Sequence, residues 1–330
     1  MITSNGLGGS PRLQVRVSAI TNEAERIKSF VLVDVTGEPL PAFSAGAHVL
    51  IDLPNGLTRQ YSICNDPIET GQYRIAVLLE SNGRGGSICM HEDIAVGDRL
   101  SISPPRNNFA LVESAREFLL IAGGIGVTPI LAMCQDLHRR SLSFRLHYCT
   151  RTPELTAFRD ELTTGPFASR VTFHHDGGEL GKGLDVNALL ATVPDGMHVY
   201  CCGPAGLMKA VESAASHWPD GRVHFEFFAA TGEVAVTSQA RCQPFEVVIA
   251  STGQVMIVPL GRTVLEVLRD HGIIIESFCE EGICGTCIIG VLEGIPDHRD
   301  LVLGDIEKSK NNLMAVCCSR ALSARLVLDL

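Results

Sequence analysis

The chain has 330 residues, 45% of them hydrophobic and 19% charged, a composition that excludes disorder and leaves room for two or three globular domains. A formal net charge of −10 excludes general nucleic-acid binding, which needs a basic footprint. No apolar run approaches the ~20 residues of a membrane helix, and residues 1–11 hold neither a basic start nor an apolar signal core, so a cytoplasmic protein is expected.

From about residue 13 to 108, short alternating or β-branched runs (14–19, 29–35, 48–53, 74–79) are split by Gly/Pro turns. Strands at that spacing predict an antiparallel β-barrel. From about residue 117 the grammar changes. Apolar strands at 118–122, 143–148, 170–174 and 198–202 alternate with helical patterns at 129–138, 184–191 and 205–215. That alternation predicts an α/β domain with a parallel sheet and crossover helices. A small, polar stretch then reads as a linker. Beyond it, residues 244–250 and 254–259 predict a hairpin, 263–271 an amphipathic helix, and 326–330 a closing strand after a cysteine loop, a small α+β domain. The domains are drawn at 1–112, 113–230, 231–243 (linker) and 244–330.

Within the first region, Arg59-Gln60-Tyr61-Ser62 sits at a strand end. An Arg can pair with a phosphate bidentately, a Tyr can pack on a flat ring such as a flavin, and a Ser hydroxyl can reach a ring nitrogen. On their own, four such residues also suit an ordinary exposed strand end. Gly83-Arg84-Gly85-Gly86-Ser87 precedes a predicted short helix at 88–93. There glycine amides, a hydroxyl and a helix N-terminus would favour an anion.

In the second region, Ala122-Gly123-Gly124-Ile125-Gly126-Val127-Thr128-Pro129 joins a strand to a helix. Its glycines would let backbone approach a pyrophosphate, and Pro129 suits a first helical turn. A third glycine of the G-x-G-x-x-G pattern is missing, so an acidic partner ~20 residues on is not demanded. Thr150-Arg151 could face a 2′-phosphate, and His174-His175-Asp176 ends a strand without implying a metal. Cys202-Gly203-Pro204 closes a later strand, where a small thiol beside glycine could border a nicotinamide. His224-Phe-Glu-Phe227-Phe228 ends the region.

Twelve cysteines are many for a reducing compartment, where metal or redox chemistry is a better reading of regular spacing than disulfides. Cys64, Cys89, Cys134 and Cys149 sit among apolar neighbours and read as small core residues. Cys279-Glu-Glu-Gly-Ile-Cys284-Gly-Thr-Cys287 is C-x4-C-x2-C, with Cys317 thirty positions on. That spacing is the one used for plant-type [2Fe–2S] ligation. Zinc sites more often pair two short hooks, and here the far side offers the adjacent Cys317 and Cys318. Gly282 and Gly285 would let the loop wrap tightly around sulfur.

The stretch Ser277–Cys287, with Asp297-His-Arg-Asp-Leu301 and Cys317-Cys-Ser-Arg-Ala321, resembles the ferredoxin end of the phthalate dioxygenase reductase family, to which the vanillate O-demethylase reductase subunit is close. The resemblance runs over essentially the whole chain. It implies a flavin barrel, a nicotinamide domain and a C-terminal plant-type ferredoxin domain of the β-grasp kind, with Cys279, Cys284, Cys287 and Cys317 as cluster ligands. It implies that Arg59 to Ser62 is the R-x-Y-S flavin signature and that Gly83, Arg84, Gly85, Gly86 and Ser87 hold the phosphate of FMN, although the residues themselves also allow FAD. It further implies that Gly123, Gly124, Gly126, Thr128 and Pro129 hold the nucleotide, and that Cys202, Gly203 and Pro204 line the nicotinamide pocket. Phe228 would stand against the flavin, with Ser62, Cys202 and Phe228 at the hydride step. NADH is favoured over NADPH.

A nicotinamide delivers two electrons at once, whereas a [2Fe–2S] cluster accepts one. A flavin joins the two, and the cofactors carry the redox chemistry. The expected function is therefore an NADH-dependent reductase that passes electrons through FMN and the cluster to a Rieske-type oxygenase. Residues 243–330 hold 12 Asp/Glu against 7 Lys/Arg, a net of −5 that would suit a basic partner. Two rivals are a diiron monooxygenase reductase, disfavoured by the C-terminal cluster, and a redox-sensing regulator, which would not need flavin and nicotinamide motifs.

Overall fold

The computed structural model describes residues 12–330 apart from 82, 180, 229–242, 278, 279, 281, 283, 284 and 301. The chain divides into two compact units, one ending at Glu226 and one beginning at Phe227.

In the first unit, alternating apolar residues build β1 (Leu13–Ala24), β2 (Ile27–Asp34), β3 (His48–Asp52), β4 (Thr58–Ser62), β5 (Tyr73–Leu78) and β6 (Arg99–Ile102), with α1 (Gly86–Glu92) before β6. The strands pair antiparallel in the order β4-β3-β6-β1-β2-β5. A bridge between Ile63 and Ile75 joins the two ends and closes the barrel. Inward-facing Val15, Val17, Phe30, Leu32, Val49, Ile51 and Ile75 are fully buried. Each such side chain contributes roughly 1.5–3 kcal/mol by leaving water.

The chain continues through β7 (Glu117–Gly123), α2 (Val127–Arg139), β8 (Ser143–Thr150), α3 (Arg159–Thr164), β9 (Val171–His175), α4 (Val186–Leu190), β10 (Met197–Cys202), α5 (Ala205–Ala214) and β11 (Val223–Glu226). The five strands are parallel in the order β11-β10-β7-β8-β9. From β7 the chain steps to β8 and β9 on one side, then to β10 and β11 on the other. The switch point therefore lies between β7 and β10, at whose carboxyl ends open α/β sheets bind ligands. Ile130, Met133, Cys134 and Leu137 of α2 share a core with Leu120, Leu146, Tyr148 and Tyr200, and Ile27, Ala45, Cys64, Ala76 and Phe109 of the preceding region belong to the same core.

The second unit comprises β12 (Phe245–Ile249), β13 (Val255–Val258), α6 (Val264–Asp270), β14 (Ile288–Glu293), β15 (Pro296–Asp297), α7 (Asp305–Ser309), β16 (Leu313–Ala315), β17 (Arg320–Ala321) and β18 (Arg325–Leu328). A mixed sheet runs β13-β12-β18-β14-β16, and β15 pairs with β17. The expected hairpin is β12–β13, and β18 joins β12 in parallel. Thr263 and Glu266 form a reciprocal capping box that starts α6 where its apolar residues begin. Sequence reading passed from the cysteine loop to the closing strand without β14 and β16. Gly290 and a bulge between Val291 and Glu293 break the alternation that would have announced β14. Among the described residues no helix is long and apolar enough to cross a membrane.

Candidate functional site

At the switch point the loop after β7 meets the loop after β10, and glycine makes the meeting possible. A Cβ on Gly126 would stand 2.3 Å from the Cys202 carbonyl oxygen, one on Gly123 2.6 Å from Pro204 Cδ, and one on Gly203 2.9 Å from Gly123 Cα. These three glycines serve chain-to-chain contact. Gly124 differs, with φ +52 and nothing within 4 Å of where a Cβ would be, so its face is the open one. Thr128 Oγ1 donates to the Ile125 carbonyl at 3.0 Å and Pro129 is buried, so both shape the turn into α2.

Three strand ends converge beside this crossing. Ser62 ends β4, Cys202 ends β10, and Glu226 ends β11 in register with Cys202. They are 4%, 0% and 7% exposed. The Ser62 hydroxyl donates to Glu226 Oε2 at 3.4 Å. Burial pushes the Glu226 carboxyl up to about 8, against the lowering effect of the Ser62 bond. Burial, reinforced by Glu226, also pushes the Cys202 thiol well above its ordinary range, so it stays a neutral thiol. Sequence reasoning singled out Ser62 and Cys202 and missed Glu226. Its signal was a lone carboxylate inside the otherwise apolar end of β11. Phe228, the aromatic expected against the flavin, is 42% exposed.

Arg59 lies along the start of α1. A Cβ on Gly86 would sit 2.6 Å from its Nε, while Gly85 takes φ +85 as the N-cap. Arg59 Nη1 donates to the Thr58 carbonyl at 2.8 Å and Nη2 to that of Arg84 at 3.4 Å. A guanidinium and the first amides of a helix are thus brought together, a donor set that fits a phosphate. The helix begins at Gly86, two residues before the expected start. The Ser87 hydroxyl accepts from the Glu80 amide at 3.0 Å and so serves the preceding turn. Gln60 and Tyr61 are half-buried in β4, and Gly83 packs on Glu80.

At the ends of β8 and β9, His174 Nε2 lies 3.0 Å from His147 Nδ1, and His175 Nδ1 2.9 Å from Thr150 Oγ1. Arg151 is exposed, and its carbonyl accepts from Gly177 at 2.8 Å. Of the cysteines read as core, Cys64, Cys89 and Cys134 are buried and Cys149 is half-buried.

In the second unit, Cys287 and Cys317 are buried, and the Cys317 thiol is within hydrogen-bonding reach of Cys287 and Cys318. Cys279 and Cys284 lie outside the described residues. Gly282 and Gly285 take φ +74 and +73, and a Cβ on Gly282 would meet Cys318 Sγ at 2.5 Å and Asp300 Cα at 2.8 Å. Two buried thiols from opposite ends of the motif, beside a loop tightened by glycine, fit a thiolate-bound cluster. Glu280, one of the acidic residues of this region, is paired with Arg269 at 2.6 Å.

Residues 247–322 match the model of a 2Fe-2S iron-sulfur cluster binding domain, and residues 120–213 that of an oxidoreductase NAD-binding domain. The chain is 46% identical to phthalate dioxygenase reductase of Burkholderia cepacia, over 96% of this chain and 97% of that one. It is 48% identical to vanillate O-demethylase oxidoreductase of Pseudomonas sp. (strain HR199 / DSM 7063), over 96% and 100%. The solved structure of phthalate dioxygenase reductase, described as modular for electron transfer from pyridine nucleotides to [2Fe-2S], matches with a TM-score of 0.73 across 97% of this chain and 98% of that one, at 46% identity. An intact type IV self-sufficient cytochrome P450 monooxygenase matches with a TM-score of 0.87 at 37% identity, over 99% of this chain and 43% of that one.

Proposed function

The chain belongs to the family of phthalate dioxygenase reductase and vanillate O-demethylase oxidoreductase, and from that premise we propose that it is the NADH-dependent reductase component of a Rieske-type oxygenase or demethylase system. The observation that carries this reading is the convergence of Ser62, Cys202 and Glu226 on the switch point of a nucleotide-binding sheet, in a chain that ends in a 2Fe-2S domain. We draw the domains as a flavin barrel at 1–112, a nicotinamide domain at 113–230, a linker at 231–243 and a ferredoxin domain at 244–330.

When bound, the flavin takes an electron pair from the nicotinamide and passes electrons singly to the [2Fe–2S] cluster, which hands them to the oxygenase. Arg59, Gly85 and Gly86 hold the flavin phosphate, and the start of α1 favours FMN, whose phosphate is terminal. Tyr61 lines the ring. Gly124 gives the nucleotide an open backbone face, and NADH is favoured because one exposed Arg151 is a thin site for a 2′-phosphate. Cys202, neutral and small, borders the nicotinamide without adding charge. Below a pH of about 8 Glu226 keeps its proton, so Glu226 Oε2 and Ser62 Oγ would hold a proton in a buried pair, available by way of Ser62 Oγ when a bound flavin gains the hydride. Cys279, Cys284, Cys287 and Cys317 bind the cluster. A cytoplasmic location suits the free thiols of Cys64, Cys89, Cys134, Cys149, Cys201 and Cys202.

The test is direct. The purified protein should show flavin and [2Fe–2S] absorption, release FMN on extraction, and reduce an artificial one-electron acceptor with NADH. Absence of flavin, or turnover with NADPH alone, would overturn the corresponding assignment.

A further inference from the structure

Away from the Ser62 pocket, a charged residue of the barrel is clasped by two helices that pack on the nucleotide sheet. Arg74 of β5 donates from Nη1 to Glu161 Oε2 at 3.0 Å and from Nη2 to Glu161 Oε1 at 3.1 Å. Glu161 belongs to α3, and its Oε1 also accepts from Gln135 Nε2 of α2 at 2.9 Å. The guanidinium stands 5.1 Å from the centroid of the Phe158 ring. A two-pronged Arg–carboxylate pair fixes direction as well as distance, and the aromatic face beneath it removes a further degree of freedom.

The Phe158 backbone is unusual. It takes φ 57 and ψ 23 as the N-cap of α3, while its side chain is 2% exposed. A bulky residue holds that left-handed conformation only where its surroundings over-determine it. Its carbonyl accepts from Leu162 at 2.9 Å, so this one residue sets the start of the helix that presents Glu161.

On the barrel side, Arg74 is woven into the segment that follows Ser62. Its carbonyl accepts from the Cys64 amide at 2.7 Å and from the Cys64 thiol at 3.2 Å, and its amide donates to Asn65 Oδ1 at 2.8 Å. Ile63, next to Ser62, bridges to Ile75, next to Arg74. A second tie runs from Arg139 of α2 to Asp66 at 3.4 Å. Between them the two regions share one apolar core, and Gly46 lets Met133 of α2 approach to 3.1 Å from where a Cβ would be.

We propose that Arg74 is a positioning residue for hydride transfer: its clasp on Glu161, backed by Gln135 and Phe158, fixes the nucleotide sheet against the barrel so that Cys202 and Glu226 meet Ser62. This rests on the reading of the Ser62–Cys202–Glu226 pocket as the flavin and nicotinamide site. Transfer between two bound rings depends steeply on their separation, and a misplacement of about 1 Å can cost on the order of a hundredfold. A clasp that ties the turn after Ser62 to helices on the sheet controls that separation without touching either ring.

The test uses the holoenzyme and two variants: Arg74→Lys, which keeps the charge and loses the fork, and Glu161→Gln, which keeps the shape and loses the charge. Rapid-mixing reduction of the flavin is followed with NADH and with NADH deuterated at the transferred position. The expected result is a limiting rate lowered by about tenfold or more with a raised isotope effect, while NADH affinity changes by less than about twofold. Hydrogen exchange gives a readout independent of turnover. Amides of residues 63–65 and 159–164 should exchange faster together in either variant, and Glu161→Gln decides the matter if Arg74→Lys does not fold. Ser62→Ala is run beside them. If it is slow while both clasp variants react at the parent rate with an unchanged isotope effect, the clasp is overturned and the pocket stands. If Ser62→Ala also reacts at the parent rate, the pocket reading fails and the clasp with it.

Discussion

Ser62 and Glu226 are 164 positions apart in the chain and share a buried hydrogen bond of 3.4 Å from Ser62 Oγ to Glu226 Oε2. The barrel supplies one and the edge strand of the parallel sheet the other. Neither residue can be removed from this pairing without leaving a buried polar group short of its partner, at a cost of about 1–3 kcal/mol.

The first consequence is a pH dependence of stability. Burial raises the Glu226 carboxyl from an ordinary 4.5 to about 8. Between those values the native chain keeps a proton that the unfolded chain has released, so stability falls as pH rises, by up to about 1.4 kcal/mol per unit, and levels off above the folded value. Denaturant melts from pH 5 to 9 should show this fall in the parent and a flatter curve in Glu226→Gln. An unchanged slope in the variant would assign the dependence to another group.

Loss of the Ser62 hydroxyl should act on rate more than on folding. Ser62→Ala removes the hydrogen-bond donor and leaves Glu226 buried. Flavin reduction by NADH should slow by about a hundredfold, the lower range of general acid–base contributions. Flavin content should hold, because Ser62→Ala leaves Arg59 and the start of α1, the proposed phosphate site, untouched. Rapid-mixing absorbance with extraction of the flavin separates the two quantities.

Two glycines of the loop after β7 should respond differently to alanine. At Gly126 a Cβ would collide with the Cys202 carbonyl at 2.3 Å, and backbone cannot step aside as a flexible side chain can. Gly126→Ala should therefore displace the Cys202–Gly203 turn, lower the melting temperature and weaken NADH binding. At Gly124 there is open space and a φ of +52, so Gly124→Ala carries only the left-handed strain of about 1–2 kcal/mol. Comparable losses of NADH binding and stability in both would contradict this division.

Much of the architecture was legible because its signals are local. Alternation marks the barrel strands, an apolar run into glycine marks β7, and C-x4-C-x2-C is a spacing in sequence. Glu226 was barely legible, because its partner Ser62 lies 164 positions away in the barrel and a lone carboxylate at an apolar strand end does not announce that partner. The glycines show a related limit. The loop at 122–129 read as glycines that let backbone approach a pyrophosphate, but only the fold shows that the close neighbour of Gly123 and Gly126 is the chain itself and that Gly124 of this set faces open space. Ser87 looked like an anion ligand for the same reason, until its hydroxyl was found on the Glu80 amide.

The cysteine loop offers the sharpest division between neighbours. Cys317 and Cys318 are adjacent, yet Cys317 is buried with its thiol within reach of Cys287, while Cys318 is half-buried, its thiol beside Cys317 and at 3.8 Å from the Ala315 carbonyl and 3.9 Å from Ser319 Oγ. Cys317→Ser should lower iron and acid-labile sulfide per chain and bleach the cluster absorption, whereas Cys318→Ser should keep both. The reverse result would move the ligand assignment by one residue. Gly282→Ala should also lower the iron content, since its Cβ would meet Cys318 Sγ at 2.5 Å and Asp300 Cα at 2.8 Å. Adding Cys318→Ala relieves the first contact and leaves the second, which is backbone. The double variant should therefore recover iron only in part, and full recovery would mean that the sulfur alone restricts position 282.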